Sequence, residues 1–166
     1  MLLASNCIHR CKEVAPSWRL ADHTVVCSYC GCREITVIGR FSDEHDVIIN
    51  ATGDLRRSAA SGDLAASHTA VGVLKRLLAP HTLSEERSLF AELREDPEFT
   101  NHIDVLCAEH REINASLAIV DGGDLTGVVA LEGLLRRHID KEENGLFPAA
   151  AIALDGPAWE RVVARA

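Results

Sequence analysis

The chain has 166 residues, 47% apolar and 25% charged, which excludes a disordered polymer and suits a single domain with a real core. Lysine and arginine total 17 against 25 acidic residues, and the resulting charge of −8 argues against a nucleic-acid partner or an anionic membrane surface. No apolar run approaches the roughly 18 residues of a membrane span, and the opening Met-Leu-Leu-Ala-Ser is too short for a secretory core, so a soluble, cytoplasmic protein is expected.

Residues 1–41 have no sustained period, and the cysteines crowd the front of that stretch. Five of the six cysteines fall there (Cys7, Cys11, Cys27, Cys30 and Cys32), and only Cys107 lies beyond. In an unexported chain such a cluster favours metal or reduced thiols over disulfides. Cys7-x3-Cys11-x15-Cys27-x2-Cys30 approximates a four-cysteine zinc knuckle with Cys32 and His9 left over. Residues 1–37 therefore read as an irregular cysteine-rich lead that binds a separate zinc, carries redox thiols, or does neither. Glu34–Ile38 reads as a short strand or an extended segment.

From Ser42 onward the pattern turns helical. Ser42-Asp-Glu offers a capping hydroxyl followed by acids at the positive end of a helix dipole. Helices are expected over about 42–60, 63–94, 98–120 and 124–147, with a short fifth after Pro157; Asp96-Pro97, Asp121-Gly-Gly-Asp124 and Asp155-Gly-Pro157 separate them. The fold class is all-α: an up-down-up-down four-helix bundle over 38–150, preceded by the lead and followed by a C-terminal helix within 151–166. Trp159, Val162 and Val163 give that last helix an apolar side to pack on the bundle or on another subunit; the oligomeric state is left open.

An internal repeat carries the chemistry. Leu77-Leu78-x-x-His81-x-x-x-Glu85-Glu86-x-x-Leu89-Phe90 recurs at every offset as Leu134-Leu135-x-x-His138-x-x-x-Glu142-Glu143-x-x-Leu146-Phe147. Each copy follows a helix with Glu-His and isoleucine three places on: Glu44-His45…Ile48 and Glu109-His110…Ile113. At 3.6 residues per turn, His45, His81, His110, His138, Glu85 and Glu142 all share the apolar faces of their helices. Buried ionisable groups are costly without partners, and cations resolve that cost together. Six donors are too many for one tetrahedral zinc and suit two six-coordinate ions, with iron favoured over manganese or zinc.

Glu85 has a competing reading, because Pro80 should interrupt its helix and make Thr82-Leu-Ser-Glu85 a capping box at a restart. Glu86 and Glu143 are expected on a solvated face, with a ligand role as the alternative. His68 is expected at the surface, with a supporting contact to the site as the alternative, and Cys107 reads as a small core filler.

The spaced set of His45, His81-x-x-x-Glu85, His110 and His138-x-x-x-Glu142 resembles the hemerythrin-like (HHE cation-binding) domain over about residues 38–150. The resemblance implies two iron ions, oxo- and carboxylate-bridged, with Glu85 and Glu142 as bridges and the four histidines as terminal ligands. Oxygen-carrying hemerythrins have a second histidine one turn from the third-helix histidine, where this chain has Leu106 and Asn114. The implied function is binding or sensing of oxygen, nitric oxide, peroxide or iron. Alternatives are an enzyme that decomposes peroxide or reduces nitric oxide, and a metal-free helical interaction module. The Cys27–Cys32 stretch is similar to a lead that opens some bacterial members, which would make residues 1–25 a start-site extension.

Overall fold

The structure is a computed structural model that describes residues 31–166. The sites expected at Cys7, Cys11, Cys27, Cys30 and His9 lie outside the described residues. Among the described residues there is no strand, and no helix is long and apolar enough to cross a membrane.

Four long helices form the bundle: α1 (Thr36–Ser61), α2 (Leu64–Arg87), α4 (Pro97–Asp121) and α5 (Val128–Lys141). Shorter pieces connect and close it: α3 (Leu89–Leu93), α6 (Phe147–Ala153) and α7 (Gly156–Arg165). Each of α1, α2, α4 and α5 packs against its two neighbours in that cyclic order. The turns follow the residues expected to make them. Gly62 ends α1 at φ 73°, a left-handed conformation that suits glycine, and Asp63 then caps α2 by accepting from the Ala66 amide. Asp96, Asp124 and Asp155 accept from backbone amides at the next three breaks.

Several local expectations are corrected. The first helix starts at Thr36 rather than Ser42, so Glu34–Ile38 is not a strand: a 3-10 turn over Cys32–Glu34 passes through the single extended residue Ile35 into α1. Ser42 lies inside the helix, fully buried. The turn folds back closely: a Cβ at Gly39 would stand 2.6 Å from the Arg33 carbonyl oxygen, so only glycine lets Arg33 lie against α1. Pro80 does not interrupt α2. The helix runs through it, Thr82 donates to the Leu78 carbonyl at 3.1 Å, and no capping box forms. Burial of Leu74, Leu78 and His81 on either side offsets the roughly 3 kcal/mol that an internal proline costs. The break falls instead at Ser88 (φ −107°, ψ −88°). In the fourth helix, α5 passes through a π-helical turn, Glu142–Leu146, into α6.

The core is layered. One apolar cluster holds Val37, Ile38, Phe41, Leu89, Phe90, Ile103, Leu106, Leu146 and Phe147, together with Cys32 and Cys107. The other holds Ile48, Leu55, Leu74, Leu78, Ile113, Leu117, Leu131, Leu135 and Ile139. On α1 and α4, and from α2 into α3, a histidine lies in sequence between members of the two clusters; on α5 His138 stands beside Ile139 of the second cluster. The C-terminal helix packs on its own bundle: Val162 is fully buried, and Arg161 donates to the buried Glu92 at 3.1 Å.

Candidate metal centre

The polar layer sits where four helices face one another. His45 comes from α1, His81 and Glu85 from α2, His110 from α4, His138 from α5, and Glu142 from the π turn; each is at most 4% exposed. All six residues singled out by spacing are therefore brought together, and each helix places its donor because the flanking leucines and isoleucines fix which face turns inward. The donor atoms form two groups: His45, His81 and Glu85, and Glu85, His110, His138 and Glu142. Glu85 belongs to both. Its oxygens lie 3.6 Å from His45 Nε2, 3.3 Å from His81 Nε2 and 3.4 Å from His110 Nε2. Glu142 lies 3.2 Å from His45 Nε2 and 3.3 Å from His138 Nε2, so it too faces a histidine from each hairpin.

These contacts leave donors unsatisfied. Both oxygens of Glu85, both oxygens of Glu142 and Nε2 of His45 are buried without a hydrogen-bond partner. Nε2 of His110 and Nε2 of His138 face each other at 2.9 Å. Orphaned buried acceptors each cost about 1–3 kcal/mol, more when charged, unless something electropositive lies among them. The donor set, imidazole nitrogen plus carboxylate oxygen on facing helices, is one that suits iron, manganese or zinc.

The electrostatics agree. Burial opposes charge on His45, yet Glu142, Glu143 and Glu85 around it raise its pKa well above the ordinary histidine range. Burial likewise opposes charge on His110, and Glu85, Glu142 and Glu86 outweigh it, raising the pKa to about 9. Burial alone would push Glu85 up, but His81, His110 and His45 hold its carboxyl well below the usual range. A field that draws protons to buried imidazoles draws a cation to the same place.

The outward nitrogens are also engaged. Nδ1 of His45 meets Glu143 at 2.9 Å, Nδ1 of His81 meets Glu44 at 2.7 Å, Nδ1 of His110 meets Glu86 at 2.8 Å, and Nδ1 of His138 meets Glu109 at 3.1 Å. Glu143 is buried and also accepts from the Ser42 hydroxyl at 3.1 Å, so the solvated face expected for it is corrected. The reason is the π turn, which swings Glu143 towards α1. Glu86, on a regular helix, stays partly exposed while holding His110. Sequence reasoning missed the roles of Glu44 and Glu109, although their place immediately before His45 and His110 was part of the repeat.

Phenyl rings floor the layer. Phe147 stacks on His45 (5.7 Å, 6°) and Phe90 on His110 (5.6 Å, 9°). Leu106 is fully buried in the apolar cluster and Asn114 is exposed, so α4 contributes only His110 to the layer. His68 and His102 are exposed, and Cys107 is buried, its thiol pKa raised by that burial.

Comparison with curated proteins and with solved structures gives no match. Among protein families, the hemerythrin HHE cation-binding domain matches residues 36–150, from the start of α1 to the middle of α6 and across the whole His/Glu layer. The chain belongs to the hemerythrin HHE cation-binding domain family.

Proposed function

We propose that this protein holds two iron ions in the His/Glu layer and uses them to bind or sense a small molecule: oxygen, nitric oxide, peroxide, or iron itself. His45 and His81 would serve one ion, His110 and His138 the other, and Glu85 and Glu142 would span the pair. The observation that carries this reading is the set of five orphaned donor atoms on Glu85, Glu142 and His45 at the point where the four histidines converge. When bound, the ions would supply one-electron redox chemistry and an open coordination position.

The chain's own residues do the rest. The carboxylates on Nδ1 hold each imidazole with its other nitrogen inward. Phe41, Phe90 and Phe147, all fully buried, exclude water from one side of the layer, and Ile48, Leu78, Ile113 and Leu135 close the other. Because α4 offers Leu106 and Asn114 rather than a second imidazole, the His110 half carries one donor fewer than an oxygen carrier of this family. That favours sensing or redox turnover over reversible carriage.

Metal content by plasma mass spectrometry, with an absorption spectrum before and after reduction, tests the proposal. Two irons per chain and a visible absorption that bleaches on reduction are expected. One zinc and no iron would move the metal to the cysteine-rich lead and overturn the assignment; no metal with undiminished stability in chelator would leave a helical interaction module.

The same α4 observation favours a second reading, an enzyme that decomposes peroxide or reduces nitric oxide. Steady-state peroxide consumption well above that of free iron would establish it, and a single stoichiometric response would exclude it.

A further inference from the structure

The four carboxylates on the outward histidine nitrogens are not independent. Glu44 on α1 holds His81 on α2, and Glu86 on α2 holds His110 on α4. Glu109 on α4 holds His138 on α5, and Glu143 in the π turn that continues α5 holds His45 back on α1. The chain of contacts closes: each helix gives a histidine to the centre and a carboxylate to its neighbour's histidine. In each case the orienting glutamate is one residue away from a group of the inner layer, beside His45, Glu85, His110 or Glu142.

An ionised carboxylate can only accept a hydrogen bond, so each contact keeps a proton on Nδ1 and makes the inward Nε2 the nitrogen that gives up its proton to a cation. Such contacts fix the ring's rotation and make the inward nitrogen a better donor to a cation. Three of the four are backed by cations: Arg40 lies 3.9 Å from Glu44, Lys141 contacts Glu109, and Arg33 lies 3.6 Å from Glu143.

We infer that Glu44, Glu86, Glu109 and Glu143 form a closed set of positioning residues that pre-orders all four imidazoles for the metal, none of them being a ligand. This rests on the reading of the inner layer as a metal centre. Interlocking makes each half of the site depend on the other hairpin: His110 is oriented from the first hairpin by Glu86, and His45 from the second by Glu143.

Cobalt(II) titration of the full chain, followed by its ligand-field absorption, tests this with a probe whose bands report coordination geometry. Glu86→Ala and Glu109→Ala are the informative variants, because both side chains are partly exposed and their loss leaves the core intact. Each is expected to weaken cobalt binding about 10–100-fold and to shift the bands. Glu86→Gln and Glu109→Gln keep an accepting oxygen and are expected to stay within about threefold of wild type with unshifted bands, as is Glu143→Gln at the buried position. Glu132→Ala, which removes a carboxylate paired with Arg56 and Arg136 instead of a histidine, is expected to bind as wild type does. Alanine variants with wild-type affinity and bands, or glutamine variants as impaired as the alanine ones, would overturn the inference while leaving the metal centre intact. Wild-type protein that binds no cobalt would overturn both.

Discussion

The two hairpins are copies of one pattern that fold differently around their second glutamate. In the first copy, α2 continues as regular α-helix through Glu85 and Glu86 and breaks at Ser88, which leaves the Glu86 side chain 42% exposed. In the second, α5 gives way to a π turn at Glu142, and the Glu143 side chain is 3% exposed, bonded to His45 and Ser42 with Arg33 nearby. The inner groups superpose in role: Glu85 and Glu142 each face histidines from both hairpins, and Phe90 and Phe147 each stack on the lone histidine of the other hairpin. A shared register thus secures what lies in the bundle interior, while the extra residue of a π turn decides how deep the next side chain goes.

The largest effect should fall equally on both copies. His81→Ala and His138→Ala are each expected to reduce bound iron to background, measured as metal per chain after purification; iron retained in both would remove the basis for the centre. The copies should then separate. Glu143→Ala strips a buried partner from Ser42 and His45 and is expected to cost about 2–4 kcal/mol, whereas Glu86→Ala should cost under about 1 kcal/mol. Urea unfolding of chelator-treated protein measures both, and equal costs would erase the distinction between the buried and the exposed glutamate.

The two lone histidines should behave alike with pH. His110 has a folded-state pKa of about 9, above the ordinary 6.5, and His45 is raised in the same direction. A raised pKa stabilises the fold fully below about 6.5, and that contribution is lost as pH climbs through about 9. Glu85 is lowered, so its contribution is present above about 4.5 and is lost as pH falls through its lower folded value. Chelator-treated protein should therefore melt at its highest temperature between about pH 4.5 and 6.5 and lose stability towards pH 9; a rise over that interval would contradict the burial of both imidazoles among carboxylates. The stacked rings give the sharpest check on equivalence. Phe90→Leu and Phe147→Leu should each cost about 1–2 kcal/mol through lost ring stacking and imperfect refilling. A large inequality in urea midpoints would show that only one ring supports its histidine.

Much was legible in the residues alone. The apolar period of 3.6 places His45, His81, His110 and His138 on inward faces, and the repeat places Glu85 and Glu142 beside them, because a helix face follows from spacing without knowledge of its neighbours. The capping aspartates Asp63, Asp96, Asp124 and Asp155 act locally, so the breaks beside them are readable too, within a residue or two. Tertiary structure decided the rest. That α2 runs through Pro80, that α1 begins at Thr36 and buries Ser42, and that the π turn at Glu142 buries Glu143 all depend on packing between helices. The pairing of Glu44 with His81 and of Glu109 with His138 joins residues 37 and 29 positions apart. Such pairs are set by which helices are neighbours and how they are rotated, and no period along one helix encodes that rotation.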